Sequence, residues 1–209
     1  AIKEEHKKHC TVEVQGTRYK EPAYIAFAGA SAEQGRTGRQ GNLLRQGSGG
    51  QARRVSVGMS LLKNSNRFEW FLEKATEIGV NEIIPLICER TEKEKFRYER
   101  MKGICISAML QSQQVWLPVL HEPVEFSKAV KESAAEQKFI AHCIDGTKSR
   151  LTNHLISQSA LILIGPEGDF TVGEIEMALQ NGFIPVSLGE NRLRTETAGV
   201  VASTLLLSL

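Results

Sequence analysis

The alternation of apolar and polar positions in residues 66–209 predicts buried strands separated by amphipathic helices. Apolar runs typical of strands occupy residues 83–88, 117–120, 139–143, 161–164 and 184–188. Helical spacing is found at Phe68, Phe71, Leu72, Ala75 and Ile78, at Met101, Ile104, Cys105, Ala108 and Met109, and over residues 126–135. Strands that alternate with helices favour a parallel sheet with helices on both faces. We therefore expect an α/β fold.

Capping signals predict where several helices begin and end. Asn66 is expected to cap the first helix, and Gly79 to stop it. Thr171 and Glu174 have the spacing of a capping box, so a helix is expected to start there. Pro85 lies within an apolar run and has no N–H to donate, which predicts a bulge or an edge position for that strand.

Residues 1–60 lack this regularity. Residues 1–23 predict a small β unit, and residues 24–28 are a candidate for a buried strand. Residues 29–54 are rich in Gly, Gln and Ser and carry five arginines against one acid. Such a composition buries too little apolar surface to order the chain, so an irregular or flexible insertion is expected over residues 29–60. This segment is interpreted either as an arginine-rich arm that contacts RNA phosphates or as a solvated linker.

Composition narrows the class of protein. The 209 residues carry a net charge of +2, which permits nucleic-acid binding without arguing for it. Apolar runs stay well short of the roughly 20 residues of a membrane span, and the start of the chain lacks a signal-peptide core, so a cytoplasmic location is expected. The four cysteines are scattered, which favours reduced thiols. His6, His9 and Cys10 have no further ligands at a useful spacing, so no metal site is expected.

Glycine-bearing loops follow the last two predicted strands, at residues 165–168 and 189–194. We expect these strands to be neighbours, with both loops at the edge where parallel sheets bind ligands. The sequence contains neither a GxGxxG motif nor a P-loop, which disfavours dinucleotides and nucleoside triphosphates. Glu167 and Asp169 place acids at a helix start, where they would repel a phosphate. The expected ligand is a nucleoside without phosphates, beside a last helix capped by Thr195.

The same two loops carry motifs of a known family. IGPEG at residues 164–168 and LGENRLRTETA at residues 188–198 resemble the RsmE family of methyltransferases. KNSNR at 63–67, EKATEIGV at 73–80, Pro85, ERT at 89–91 and Gln111-Ser112 follow in the order of that family. RsmE proteins are SPOUT-class enzymes that methylate N3 of a uridine in 16S ribosomal RNA with S-adenosylmethionine. The resemblance implies this activity for the present chain.

The resemblance also implies features of the fold and assembly. These are a C-terminal deep trefoil knot, which is an exception to the usual unknotted topology, and a homodimer with the knot region at its interface. Residues 1–23 would be the remnant of an N-terminal PUA-like β-barrel, and residues 24–209 the SPOUT methyltransferase domain. The implied partner is 16S ribosomal RNA within the 30S subunit, with neither a metal nor a membrane involved.

Site residues follow from the resemblance as well. The expected cofactor-binding residues are Ile164, Gly165, Pro166, Glu167, Gly168, Leu188, Gly189, Asn191, Leu193, Arg194, Thr195, Thr197 and Ala198. Glycines are expected at positions 165, 168 and 189 because a Cβ would collide with the adenosine or strain the turn. Arg194 is assigned as the cation that stabilises charge on the uridine, and Glu196 or Glu167 as the proton acceptor.

The chain departs from the RsmE pattern at two positions. Asp169 stands where the family has a second glycine, and Gln114 where it has arginine. Two other hypotheses remain open at this point. One is a catalytically impaired protein that binds RNA and cofactor, and the other is a SPOUT methyltransferase that acts on a ribose 2′-oxygen or on a tRNA base.

Overall fold

The computed structural model describes residues 53–208 apart from residues 93, 94 and 157. The elements in chain order are β1 (Arg54–Ser60), α1 (Ser65–Ile78), β2 (Glu82–Ile87), α2 (Tyr98–Gln111), β3 (Val119–Leu120), β4 (Val124–Glu125), α3 (Phe126–Glu132), β5 (Gln137–Ala141), β6 (Ser149–Arg150), a 3-10 helix (Leu151–Asn153), β7 (Ser159–Ile164), α4 (Val172–Gln180), β8 (Ile184–Ser187) and α5 (Thr195–Ser208). The β unit predicted over residues 1–23, the strand at 24–28 and most of the arginine-rich segment lie outside the described residues.

The eight strands of the described residues form one sheet in which all pairings are parallel. Their order is β3-β2-β1-β7-β5-β8-β6, and β4 pairs with β2 next to β3. The predicted parallel α/β architecture is therefore confirmed. The two-residue strands β4 and β6 were too short to produce a pattern in the sequence.

Strand β1 corrects the predicted extent of the irregular insertion. Residues 54–60 belong to the segment expected to be irregular, yet they pair with β2 on one side and β7 on the other. Val55, Val57 and Met59 have no exposed surface. On the opposite face, a Cβ added at Gly58 would come within 2.7 Å of a leucine side chain of β7. The prediction is wrong here because serines and a glycine alternate with the apolar residues and weaken the signal of a buried strand.

For α1 and α4, the helix caps agree with the sequence signals in two places and differ in one. Asn64, rather than the predicted Asn66, caps α1, because its side-chain oxygen accepts a hydrogen bond from the Asn66 N–H at 3.0 Å. Gly79 ends the helix in the left-handed conformation, with φ at 96°, as predicted. Thr171 and Glu174 form the predicted capping box at the start of α4.

The remaining predicted elements are present with bounds that shift by a few residues. Strand β3 and helix α3 are shorter than expected. Strand β5 ends at Ala141, so His142 and Cys143 belong to the loop that follows it. This shift places both side chains at the carboxyl end of a strand, which is where parallel sheets bind ligands.

Pro85 lies in the middle of β2 and does not interrupt the pairing of this strand with β1, so the predicted bulge is wrong. On the other side of β2, strand β3 pairs with residues 82 and 83, and β4 pairs with residues 86 and 87. The Ile83 carbonyl accepts a hydrogen bond from His121 on this side, and the alternation of a strand places the Pro85 nitrogen there too. The missing N–H therefore faces the break between β3 and β4, which accommodates Pro85 although β2 lies inside the sheet and not at the predicted edge.

Helices cover both faces of the sheet. Alternate residues of each strand point to opposite faces, so apolar side chains on both faces have to be buried. On one side, α1 and α5 contact each other, and α5 lies against β1 and β7. On the other, α3 and α4 contact each other and α3 contacts β2, with the Phe126 and Phe170 rings 5.1 Å apart. No helix within the described residues is both long and apolar enough to cross a membrane.

We expect Gly199→Ala to destabilise the protein, since Gly199 lets α5 approach α1. An added Cβ would lie 2.6 Å from the Phe71 ring and 3.0 Å from the Met59 sulfur. Overpacking of this kind lowers the free energy of unfolding by about 1–3 kcal/mol. The matched control is Gly103→Ala in α2, where a Cβ meets nothing within 4 Å. Denaturant unfolding should show the control gaining about 0.5–1 kcal/mol, and equal stabilities for the two variants would contradict this account of the packing.

Candidate active site

A cleft of about 720 Å³ opens at the carboxyl ends of β5, β7 and β8. The predicted cofactor-binding residues that line it are Ile164, Gly165, Pro166, Glu167, Leu188, Gly189, Asn191, Leu193, Arg194, Thr195 and Ala198. Gly168 and Thr197, which were also predicted, are not among its lining residues. The two glycine-bearing loops thus meet at one cleft, as their positions after strands predicted.

The strands that carry these loops are not neighbours, which corrects the sequence-based expectation. Strand β5 lies between β7 and β8 and pairs with both. The loop after β5 therefore contributes a third wall, which contains His142, Cys143 and Lys148. These residues were missed because local periodicity does not reveal strand order. The carboxyl-end rule, applied to every predicted strand, would have indicated them.

Arg67 of α1 is a further residue of the cleft that the site prediction missed, although it lies in the family-like KNSNR segment. Its Nε is 3.7 Å from the Glu196 Oε1. Helix α5 begins at Thr195, so this residue lies in the first turn and not at the predicted cap position. The carbonyl of Arg194 accepts the first helical hydrogen bond, from the Ala198 N–H at 2.7 Å.

The turn between β7 and α4, residues 165–171, is braced by its neighbours. Lys63, after β1, donates its backbone N–H to the Glu167 carboxylate at 3.2 Å. Arg90, after β2, donates from its guanidinium to the Gly168 carbonyl at 2.6 Å. The Asp169 carboxylate accepts from the Cys143 N–H, after β5, at 2.7 Å. Loops from three other strands are therefore fixed to this one turn.

The glycines of the cleft serve different purposes. None of Gly165, Gly168 and Gly189 has a positive φ, so the predicted backbone strain does not explain them. A Cβ on Gly165 would lie 3.1 Å from the Phe170 N and ring, so this glycine is needed for packing. At Gly189, which lines the cleft, a Cβ meets no atom of the described residues within 4 Å. Of the three glycines, this is the one where an added side chain meets open space.

The three candidate catalytic residues differ in their surroundings. Arg194 is exposed, and it forms no ion pair with the residues that the structure describes. Glu196 is 8% exposed, and within the described chain its Oε2 is buried without a hydrogen-bond partner. Glu167 is exposed and already accepts the Lys63 N–H. Glu196 thus has the carboxylate oxygen that is available to a group entering the cleft.

Burial and the Lys148 ammonium lower the pKa of His142, against an opposing effect of Asp169. The imidazole is therefore neutral at pH 7. Its Nδ1 is buried and has no hydrogen-bond partner within the described chain. The buried Cys88 outside the cleft has its pKa raised to about 12, mainly by burial, and stays protonated. Among the described residues, no group of three or more His, Cys, Asp or Glu side chains is placed to hold a metal ion.

Similarity to known proteins identifies the class of protein to which this fold and cleft belong. Residues 50–207 match the family model of the RNA methyltransferase domain, so this domain accounts for most of the chain. The particular family follows from the relatives. A ribosomal RNA small subunit methyltransferase E from Synechocystis sp. is 34% identical over 155 residues, which cover 71% of this chain and 51% of the relative. One from Mesomycoplasma hyopneumoniae is 30% identical over 156 residues, which cover 72% and 68%.

A solved structure agrees with these relatives. The ribosomal RNA small subunit methyltransferase E from Neisseria gonorrhoeae bound to S-adenosyl methionine superposes with a TM-score of 0.69 and 28% identity, covering 78% of this chain and 69% of that one. The chain belongs to the ribosomal RNA small subunit methyltransferase E family, as the sequence motifs indicated. It spans about half the length of the Synechocystis relative.

We expect Gly165→Ala and Gly189→Ala to separate packing from ligand space. At Gly165 the added Cβ presses on Phe170, whose ring is fully buried and whose N–H is held by Asp169 at 2.9 Å. This should lower the free energy of unfolding by about 1 kcal/mol or more. Gly189→Ala should change it by less than about 0.5 kcal/mol, because its Cβ enters open space. Thermal unfolding without ligand tests both, and a larger loss at residue 189 would reverse the assignment.

Proposed function

We propose that the protein is an S-adenosylmethionine-dependent methyltransferase that methylates N3 of a uridine in 16S ribosomal RNA. The observation that carries this proposal is the convergence of the predicted cofactor residues on one cleft at the carboxyl end of a parallel sheet. Family membership and the bound S-adenosyl methionine of the Neisseria relative support it. The cytoplasm is the proposed location, since ribosomal RNA is the substrate.

The cleft suits S-adenosylmethionine with a uridine beside it. Gly189, which lines the cleft, leaves open space around its Cα, so backbone can approach an adenosine closely. Within the described residues the buried Oε2 of Glu196 has no hydrogen-bond partner, and the imide N–H of the uridine would donate to it. The backbones of Gly165, Leu188 and Ala198 line the same space and would hold the cofactor. When bound, the cofactor supplies a methyl group on an electrophilic sulfonium.

The residues of the chain have to manage a proton and a developing charge. Methylation at N3 removes the imide proton of uridine, and negative charge develops on its O2 or O4. Arg194, exposed at the cleft, is the cation proposed to stabilise that charge. Glu196 is the proposed proton acceptor because its Oε2 has no hydrogen-bond partner within the described residues, while its Oε1 lies 3.7 Å from the Arg67 Nε. Glu167 is the second candidate, and its carboxylate has a Lys63 N–H bound to it.

The wider architecture is proposed from the family. We propose the C-terminal deep trefoil knot, and the contacts of α5 with β1, β7 and the 3-10 helix are compatible with it. A homodimer with this region at the interface and a complex with the 30S subunit are proposed on the same grounds. The proposed domains are residues 1–23, a remnant of the PUA-like barrel, and residues 24–209, the methyltransferase domain.

Gly189→Val should abolish binding of S-adenosylmethionine, because two methyl groups would occupy the cleft. Gly103→Val is the matched control, as Gly103 also has open space for a side chain and lies outside the cleft. Isothermal titration calorimetry of wild type and the two variants measures the effect. Wild-type affinity in the Gly189 variant would refute the placement of the cofactor.

Arg194→Ala should lower the rate of methyl transfer by about 10²–10³-fold, the cost of removing one stabilising group at a developing charge. Glu196→Gln should lower it by about 10²-fold or more and should flatten the dependence of the rate on pH. Arg97→Ala is the control, because Arg97 is also an exposed arginine and is not among the residues that line the cleft.

The assay is incorporation of labelled methyl groups into unmethylated 30S subunits, with the product mapped to uridine N3. Near-full turnover by the Arg194 variant would remove its assigned role. Incorporation only into tRNA or at a ribose 2′-oxygen would favour the alternative SPOUT activity. Cofactor binding without any incorporation would favour a catalytically impaired protein.

A further inference from the structure

We propose that the Asp169 carboxylate is a positioning group that fixes the third wall of the cleft, the loop after β5. The identity of the ligand in this proposal rests on the proposed function. The hydrogen bonds on which it depends do not.

Asp169 joins two loops with one side chain. Its Oδ2 accepts from the Cys143 N–H at 2.7 Å, and its Oδ1 accepts from the Phe170 N–H at 2.9 Å. The N–H of Asp169 itself donates to the Pro166 carbonyl at 2.9 Å, which closes the turn. Bonds to an ionised carboxylate are among the stronger hydrogen bonds in proteins. The loop after β5 is thereby fastened to the turn between β7 and α4.

The backbone at Asp169 makes this contact available. Its φ is 65°, in the left-handed region that glycine adopts freely and that aspartate tolerates better than most residues. A glycine at this position would keep the turn and lose the contact with Cys143. The aspartate therefore adds a contact between loops that glycine does not provide.

The wall itself depends on hydrogen bonds. Residues 143–147 are exposed, so apolar burial contributes little to their position. Lys148 holds the loop with its Nζ, which donates to the His142 carbonyl at 3.0 Å and to the Ile144 carbonyl at 2.9 Å. Asp169, which lines the cleft as Lys148 does, accepts a hydrogen bond from the intervening Cys143 N–H. Loss of the Asp169 bond should let His142 and its neighbours move relative to the cleft they line.

The test compares Asp169→Gly with Asp169→Asn. Glycine suits the positive φ but has no acceptor, whereas asparagine tolerates the φ and keeps an oxygen for the Cys143 N–H. We expect the glycine variant to lose about tenfold in affinity for S-adenosylmethionine, the cost of one such hydrogen bond. The asparagine variant should stay within about threefold of wild type. Gln113→Gly is the control, because Gln113 also has a positive φ, 55°, and lies outside the cleft.

The test has two readouts, and the second is independent of the proposed function. The first readout is the affinity of the cleft for the cofactor, measured by calorimetry and by the KM for the cofactor. In the glycine variant, KM should rise more than kcat falls. Hydrogen exchange of the Cys143 amide, measured by NMR without ligand, reports the contact itself and should quicken in that variant alone. Failure of wild type to bind S-adenosylmethionine would refute the proposed function. Exchange of the Cys143 amide would still test the hydrogen bond between Cys143 and Asp169. Unchanged affinity in Asp169→Gly, or equal losses in both Asp169 variants, would overturn the positioning role.

Discussion

The turn between β7 and α4 is the constraint on which the rest of the site depends. A Cβ at residue 165 would lie only 3.1 Å from the Phe170 N and ring, so the turn is tightly packed there. The loops after β1, β2 and β5 each send one hydrogen bond to it. The capping box at Thr171 fixes its far end, and the Glu174 carboxylate of that box also accepts the Glu89 N–H at 2.9 Å. A parallel sheet brings strand ends to one edge, and this turn makes that edge rigid.

The same site contains a buried carboxylate, that of Glu196, which is incompletely paired within the described residues. The carboxylate of Glu196 is mostly removed from water, yet within the described residues its nearest cation, Arg67, is 3.7 Å away and one oxygen has no partner. Such an arrangement costs free energy in the unliganded protein. A bound molecule that donates a hydrogen bond to this oxygen removes that unfavourable free energy. Part of the affinity for such a molecule therefore comes from pairing a group that is unpaired in the unliganded protein.

Much of the fold could be predicted from the sequence, because apolar runs and capping residues are local signals. Strand β1 was missed because Ser56, Gly58 and Ser60 interrupt its apolar pattern. In the structure this strand lies inside the sheet, between β2 and β7. The two glycine loops were found from their positions after strands. His142 and Lys148 were not, because the placement of β5 between β7 and β8 is decided by packing across the whole sheet. The Glu196 oxygen that lacks a partner within the described residues likewise could not be predicted, because it depends on how the chain folds around it.

The break opposite Pro85 has a consequence for how copies of this protein can meet. The outer neighbours of β2 are two strands of two residues each, and the strand at the far margin, β6, is equally short. An incoming strand would find few free N–H and C=O groups in a row along these margins of the described sheet. Sheets with long open edges recruit further strands and aggregate. The described part of this sheet has only two-residue strands at its margins, so it offers an incoming strand little backbone to pair with.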